Sequence, residues 1–236
     1  MLGHSWDIWK EQGSMKFIIR DWKLACFAAK FLNNPNVITS TLPDFSLYKT
    51  EPFNDSLVVK KLWKTLHGVD VVVTQNGIKF DIPKANAKFL EHGLTPPPPY
   101  KQVDTCQIAK RKFGFSSNKL DDIAKLLRVG RKIDTGGFEL WDRAMRGERS
   151  AWNKMKRYNI NDVILLEKIY KKMLPYIDNH PNYAVMSGVG MRCPKCGSFK
   201  IIKQGYGHRV GSIVQRFQCR QCGGWCCGDK VLKNLI

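Results

Sequence analysis

Hydrophobic positions between Asp21 and Ile177 follow two patterns in turn: short apolar runs, and longer stretches with apolar residues three and four apart. The runs "DWKLACFAAKF" and "NVITSTL" predict strands, the first with some helical character. "NDSLVVKKLWKTLHG" has a helical period, an Asn/Asp/Ser start and a glycine stop, and predicts an amphipathic helix. In "VDVVVTQ" the consecutive Val71, Val72 and Val73 leave no polar face, which predicts a buried strand. "NGIKFDIPKANAKFLEHG" reads as a turn and then a helix that stops at Gly93. "KQVDTCQIAKRKFGF" and "NKLDDIAKLLRVG" continue the rhythm, and Phe138 to Ile177 is mostly helical. Strands separated by helices predict an α/β layer fold. Within the last segment, "RYNINDVILLEKIYKKM" predicts an apolar helix with Tyr158 and Asp162 near its start, four residues apart and so on one face.

The pattern breaks after "YIDNHPNY". Asn179, Pro181, Asn182, Ser187, Gly188 and Gly190 predict a linker over 179–190, which divides the chain into a domain at 1–178 and a small one at 191–236. No repeat of solenoid length occurs, and the four prolines Pro96–Pro99 form a short stiff connector.

The small domain carries the more specific chemistry. Cys193-Pro-Lys-Cys196-Gly and Cys219-Arg-Gln-Cys222-Gly are two C-x-x-C knuckles with 22 residues between Cys196 and Cys219. Zn²⁺ takes four soft ligands in a tetrahedron, and each knuckle presents two thiolates from one tight turn. The glycine after each second cysteine lets the backbone turn back under the metal. "FKIIKQGYGHRVGSIVQRFQC" between the knuckles predicts a β-hairpin, as in a zinc ribbon, and so short a unit needs the metal for folding energy. The competing reading is a disulfide. Cys226 and Cys227 are surplus, and either is a candidate to replace Cys222 or to stay a free thiol.

Carboxylates carry the other chemistry. Asp81 lies beyond the Val71–Val73 strand at the mouth of the following helix, where open α/β sheets collect ligands. With Asp162 from the later helix it forms a pair that suits Mg²⁺ or Mn²⁺ through oxygen. Taken singly, Asp81 reads equally as a helix cap with Pro83 in the first turn, and Asp162 as a residue facing water.

Charge narrows the partner. The chain carries a net +19 and a pI near 9.7, which favours a polyanion, nucleic acid before an acidic membrane surface. Residues 191–236 hold nine Lys or Arg against Asp229 alone, which suits a grip on phosphates. No apolar run reaches about 18 residues, and "MLGHSWDIWKEQG" lacks the pattern of a signal peptide. The expected address is therefore the cytoplasm, where cysteines bind metal more readily than they pair.

Two stretches resemble a known family. "QNGIKFDIPKANAKF" resembles the second motif, and "RYNINDVILLEKIY" the third (Tyr-x-x-x-Asp), of the DEDD 3′–5′ exonucleases with an RNase H-like fold, the superfamily of the proofreading exonucleases. "VDTCQIAKRKFGFSSNKLDDIAKLLRVG" and "TGGFELWDRAM" resemble its branch of predicted RNase H-like exonucleases of phages and bacteria. The resemblance covers about Trp22 to Ile177. It implies a mixed sheet flanked by helices, Asp81 and Asp162 as ligands of two Mg²⁺ or Mn²⁺ ions, and Tyr158 orienting the attacking water. It also implies DNA ahead of RNA as substrate, a replication or recombination assembly as setting, and a bacterial host cytoplasm if the gene is a phage's.

The family's first motif, Asp-x-Glu at the end of the first strand, has no counterpart. Asp7 and Glu11 in "WDIWKE" have the wrong spacing and no preceding strand, and "MLGHSWDIW" resembles the segment just past that motif in relatives. The expectation is a chain that begins after its first strand, with half the ligand set absent and activity in doubt. Two further functions compete with the exonuclease: a nucleic-acid-binding protein built on a degenerate nuclease domain, and a structure-specific RNase H-like endonuclease.

Overall fold

The computed structural model describes residues 22–188 and 190–234. Asp7, Glu11 and "MLGHSWDIW" lie outside the described residues. The first strands, β1 (Cys26–Lys30) and β2 (Val37–Thr41), pair antiparallel. Two short 3₁₀ turns lead to α1 (Ser56–Leu66), then β3 (Val71–Thr74), α2 (Asp81–Glu91) and β4 (Lys101–Asp104), which pairs parallel with β3. Helices α3 (Thr105–Lys112), α4 (Leu120–Leu126), α5 (Phe138–Met145) and α6 (Arg149–Met173) complete the unit. The architecture is α/β, as the alternating patterns predict. Among the described residues its first four strands form two two-stranded sheets, one antiparallel and one parallel.

Helix α6 serves both sheets. Trp152 and Met155 pack with Leu42 and Val58 beside Cys26 and Phe27, while Leu165, Ile169 and Tyr170 pack with Val103 beside Val71 and Val73. Val72 points to the other side, toward Val59, Leu66 and Phe89 of α1 and α2. An unbroken valine run thus finds apolar cover on both faces. The three valines stay half-buried, so each contributes less than the roughly 1.5–3 kcal/mol of a fully buried side chain. Tyr158 and Asp162 stand in the middle of this helix and not near its start, because the helical pattern already begins at Arg149.

The segment 179–190 contains α7 (Tyr183–Ser187), whose first turn is capped by the Asn182 side chain. Beyond it, β5 (Ile201–Arg209) and β6 (Ser212–Cys219) form the expected hairpin, and β7 (Trp225–Asn234) adds a third antiparallel strand to β6. The glycines in "GGWCCG" conceal that strand in the sequence. The ribbon rests on the larger unit: Cys196 and Cys222 pack against the cluster that holds Tyr170 and Ile177, and Lys195 Nζ donates to Pro175 O at 2.5 Å.

Candidate metal centre and active site

The knuckles bring four thiols together. The Sγ atoms of Cys193, Cys196, Cys219 and Cys222 all lie within 4.8 Å of one another, with Cys193–Cys222 and Cys196–Cys219 each at 3.7 Å. Four Zn–S bonds of about 2.3 Å in a tetrahedron place sulfurs roughly 3.8 Å apart, so the cluster fits that ion. None of the eight cysteines forms a disulfide, which would need about 2.05 Å. Gly197 and Gly223 turn at φ +73° and +77°, the left-handed conformation that carries the chain back under each knuckle. Gly197 N–H then donates to Cys193 O at 2.9 Å, and Gly223 N–H to Cys219 O at 2.8 Å. Burial pushes the Cys222 thiol up to about 11 and raises Cys196 as well, so a cation is needed to draw out those protons. Cys226 and Cys227 stand outside the four-thiol group.

Asp81 opens α2, as expected. Phe80 occupies the cap position and no side chain caps that turn, so the capping role is not taken up. The loop from β3 is held instead by Asp104 at the end of β4, whose carboxylate accepts from Asn76 N–H at 2.9 Å and Ile78 N–H at 3.2 Å while capping α3. Crowding by protein, and then the Asp104 charge, raises the Asp81 carboxyl above its usual range, although the residue as a whole stays exposed. The sequence signal for Asp104 was an aspartate between a strand and a helix start, which reads only as a cap.

Asp162 has different company. Its Oδ2 lies 2.8 Å from Lys132 Nζ, and that ammonium sits 4.6 Å from the centre of the Tyr158 ring. Asp162 Oδ1 is buried and has no hydrogen-bond partner. Burial raises the Asp162 carboxyl; Lys132, and more weakly Tyr158, oppose the rise without cancelling it. On Lys132 burial works downward, and its bonds to Asp162 and Tyr158 outweigh it to leave the ammonium raised. The same burial raises the Tyr158 hydroxyl.

Sequence reasoning missed Lys132. It comes from the loop after α4, which is pressed along α6: Asn161 Nδ2 donates to Arg131 O at 3.0 Å and Lys168 Nζ to Val129 O at 3.2 Å. Gly130 holds φ +137°, a conformation L side chains rarely adopt, and a Cβ there would stand 2.8 Å from a Leu165 methyl, so glycine eases that approach. Nothing in the sequence marks one lysine of thirty-nine Lys and Arg as the partner of a particular aspartate.

The structure therefore unites Tyr158 and Asp162, adds Lys132, and places Asp81 beside Asp104. Among the described residues, no group of three or more metal-capable side chains forms around either aspartate. An orphaned buried carboxylate oxygen is nevertheless what a hard cation would satisfy, and Mg²⁺ commonly takes only one or two protein carboxylates. No described helix is long and apolar enough to cross a membrane. A comparison with curated proteins finds no match. A family model described as the RNase_H superfamily matches residues 39–174.

Proposed function

The chain belongs to the RNase H superfamily, and from that premise we propose that it is a metal-dependent 3′–5′ exonuclease, hydrolysing phosphodiester bonds of DNA at a single-stranded or frayed 3′ end. The observation that carries this reading is the half-buried cluster of Tyr158, Lys132 and Asp162 on α6, with one Asp162 oxygen left unpartnered. Asp162 and Asp81 would hold Mg²⁺ or Mn²⁺. Bound there, the cations would supply an acidified water and Lewis-acid stabilisation of the leaving 3′ oxygen. Asp162 presents its free oxygen from α6, Lys132 holds the other oxygen, and the Tyr158 hydroxyl would orient the attacking water. The four thiols would hold a structural Zn²⁺.

The test is digestion of a 5′-labelled single strand with Mg²⁺ or Mn²⁺. The parent for this test carries an Asp-x-Glu strand ahead of residue 1 and should release mononucleotides from the 3′ end. The 236-residue chain alone should release few or none. Asp162→Asn should abolish this, and Tyr158→Phe should slow it without weakening metal binding. Equal rates for the parent and Asp162→Asn would overturn the assignment, and discrete internal fragments would make the enzyme an endonuclease.

A binding-only protein is favoured by a separate observation: Lys132 already neutralises Asp162, and among the described residues no metal-capable group of three or more side chains includes Asp162. That reading expects intact nucleic-acid binding and no product with either cation.

A further inference from the structure

Between Asp178 and Asp229 lie 50 residues without a single Asp or Glu and with seven Lys or Arg. Most of them build the zinc ribbon, whose sheet has two unlike faces. On β6, Phe217 and Cys219, on one face, are buried. Arg216 and Gln218 point the other way, opposite Cys227 and Trp225 of β7. The Arg216 guanidinium lies 4.8 Å from the Trp225 ring centre and is held by a bond from Nε to Gln204 O at 3.1 Å. Trp225 keeps 43% of its surface in solvent. The first knuckle repeats the arrangement: Phe199 is 63% exposed, with the Arg192 guanidinium 4.1 Å from its ring centre.

A large exposed aromatic ring is unfavourable in water, and a guanidinium stacked on it stands ready where the ring meets solvent. Among the described residues neither Arg216 nor Arg192 pairs with a carboxylate. Aromatic rings flanked by arginine suit a polymer that offers flat bases and phosphates in alternation. We propose that these two aromatic–arginine pairs of the ribbon form a stacking platform for single-stranded nucleic acid, with bases on Trp225 and Phe199 and phosphates on Arg216 and Arg192. The proposal rests on the nucleic-acid reading above but not on the hydrolytic chemistry. A duplex keeps its bases stacked and offers these rings nothing, and an acidic peptide offers charge without a flat partner.

The test uses the full zinc-loaded chain without Mg²⁺ or Mn²⁺, so that nothing is cut. Binding of a labelled oligothymidylate of about 4–16 nucleotides is followed by anisotropy at physiological salt. Trp225→Ala should weaken binding about tenfold, the usual loss for one stacked base, and Trp225→Phe should restore most of it. Zinc content equal to the parent's shows that the ribbon is intact. Three results would overturn the platform: parent-like binding by zinc-loaded Trp225→Ala, equal affinity for a duplex of the same length, or equal affinity for polyglutamate. Because the assay contains no Mg²⁺ or Mn²⁺ and reads binding alone, failure of the nuclease reading leaves its outcome untouched, and the two failures register separately.

Discussion

Asp162 shares a stripe of α6 with Leu165 and Ile169, and only 21% of its side chain is exposed, so its charge is less favourable there than in water. A carboxyl raised above its ordinary 3.8 contributes stability below that pH and loses it as the pH climbs through the raised value. In metal-free buffer, Asp162→Asn should therefore melt close to the parent in acid and above it near neutrality. Melting curves across that range check the prediction, and a variant less stable at pH 7 would contradict it. Lys132→Met should act in the opposite sense, leaving the carboxylate unpaired and lowering the melting temperature at neutral pH. Since both side chains keep partial solvent contact, the loss should be well below that of a fully buried pair. Combining Lys132→Met with Asp162→Asn should recover most of it, as a double-mutant cycle would show.

At the scale of elements, the segments with strong period were legible before the fold was known. The valine run, the amphipathic period of α1 and the strand-to-helix passage into α3 all carry local signals. The two knuckles were legible to the ligand, because turn and donor lie within five residues, and Gly197 and Gly223 adopt the expected positive φ. What escaped depends on contacts far apart in sequence. Lys132 reaches Asp162 from a loop that presses on α6 at Gly130, and β7 shows itself only through pairing with β6. The thiol cluster predicts about one zinc per chain by metal analysis, with Cys193→Ser or Cys219→Ser losing it. Since Cys196 and Cys222 pack beside Tyr170 and Ile177, metal loss should loosen the end of α6 along with the ribbon. Amide exchange near Met173 would report this, and unchanged protection there would confine the effect to the tail.

For the whole molecule, the consequence of a net +19 is long-range attraction to polyanions, and much of it comes from the ribbon. Cutting off residues 191–236 would be a poor test, because it would uncover the apolar cluster on which Cys196 and Cys222 rest. Neutralising Lys203, Arg216 and Arg220 to glutamine is cleaner, since all three side chains are exposed and none belongs to the thiol group. Each phosphate neutralised on a single strand contributes roughly −0.7 to the slope of log affinity against log salt, through release of condensed counterions. If all three cations contact the strand, the triple variant should lose about 2 from the magnitude of that slope. It should also bind more weakly at low salt, and the two proteins should converge as salt rises. An unchanged slope would place the phosphates elsewhere on the molecule, with the basic surface of the α/β unit as the remaining candidate.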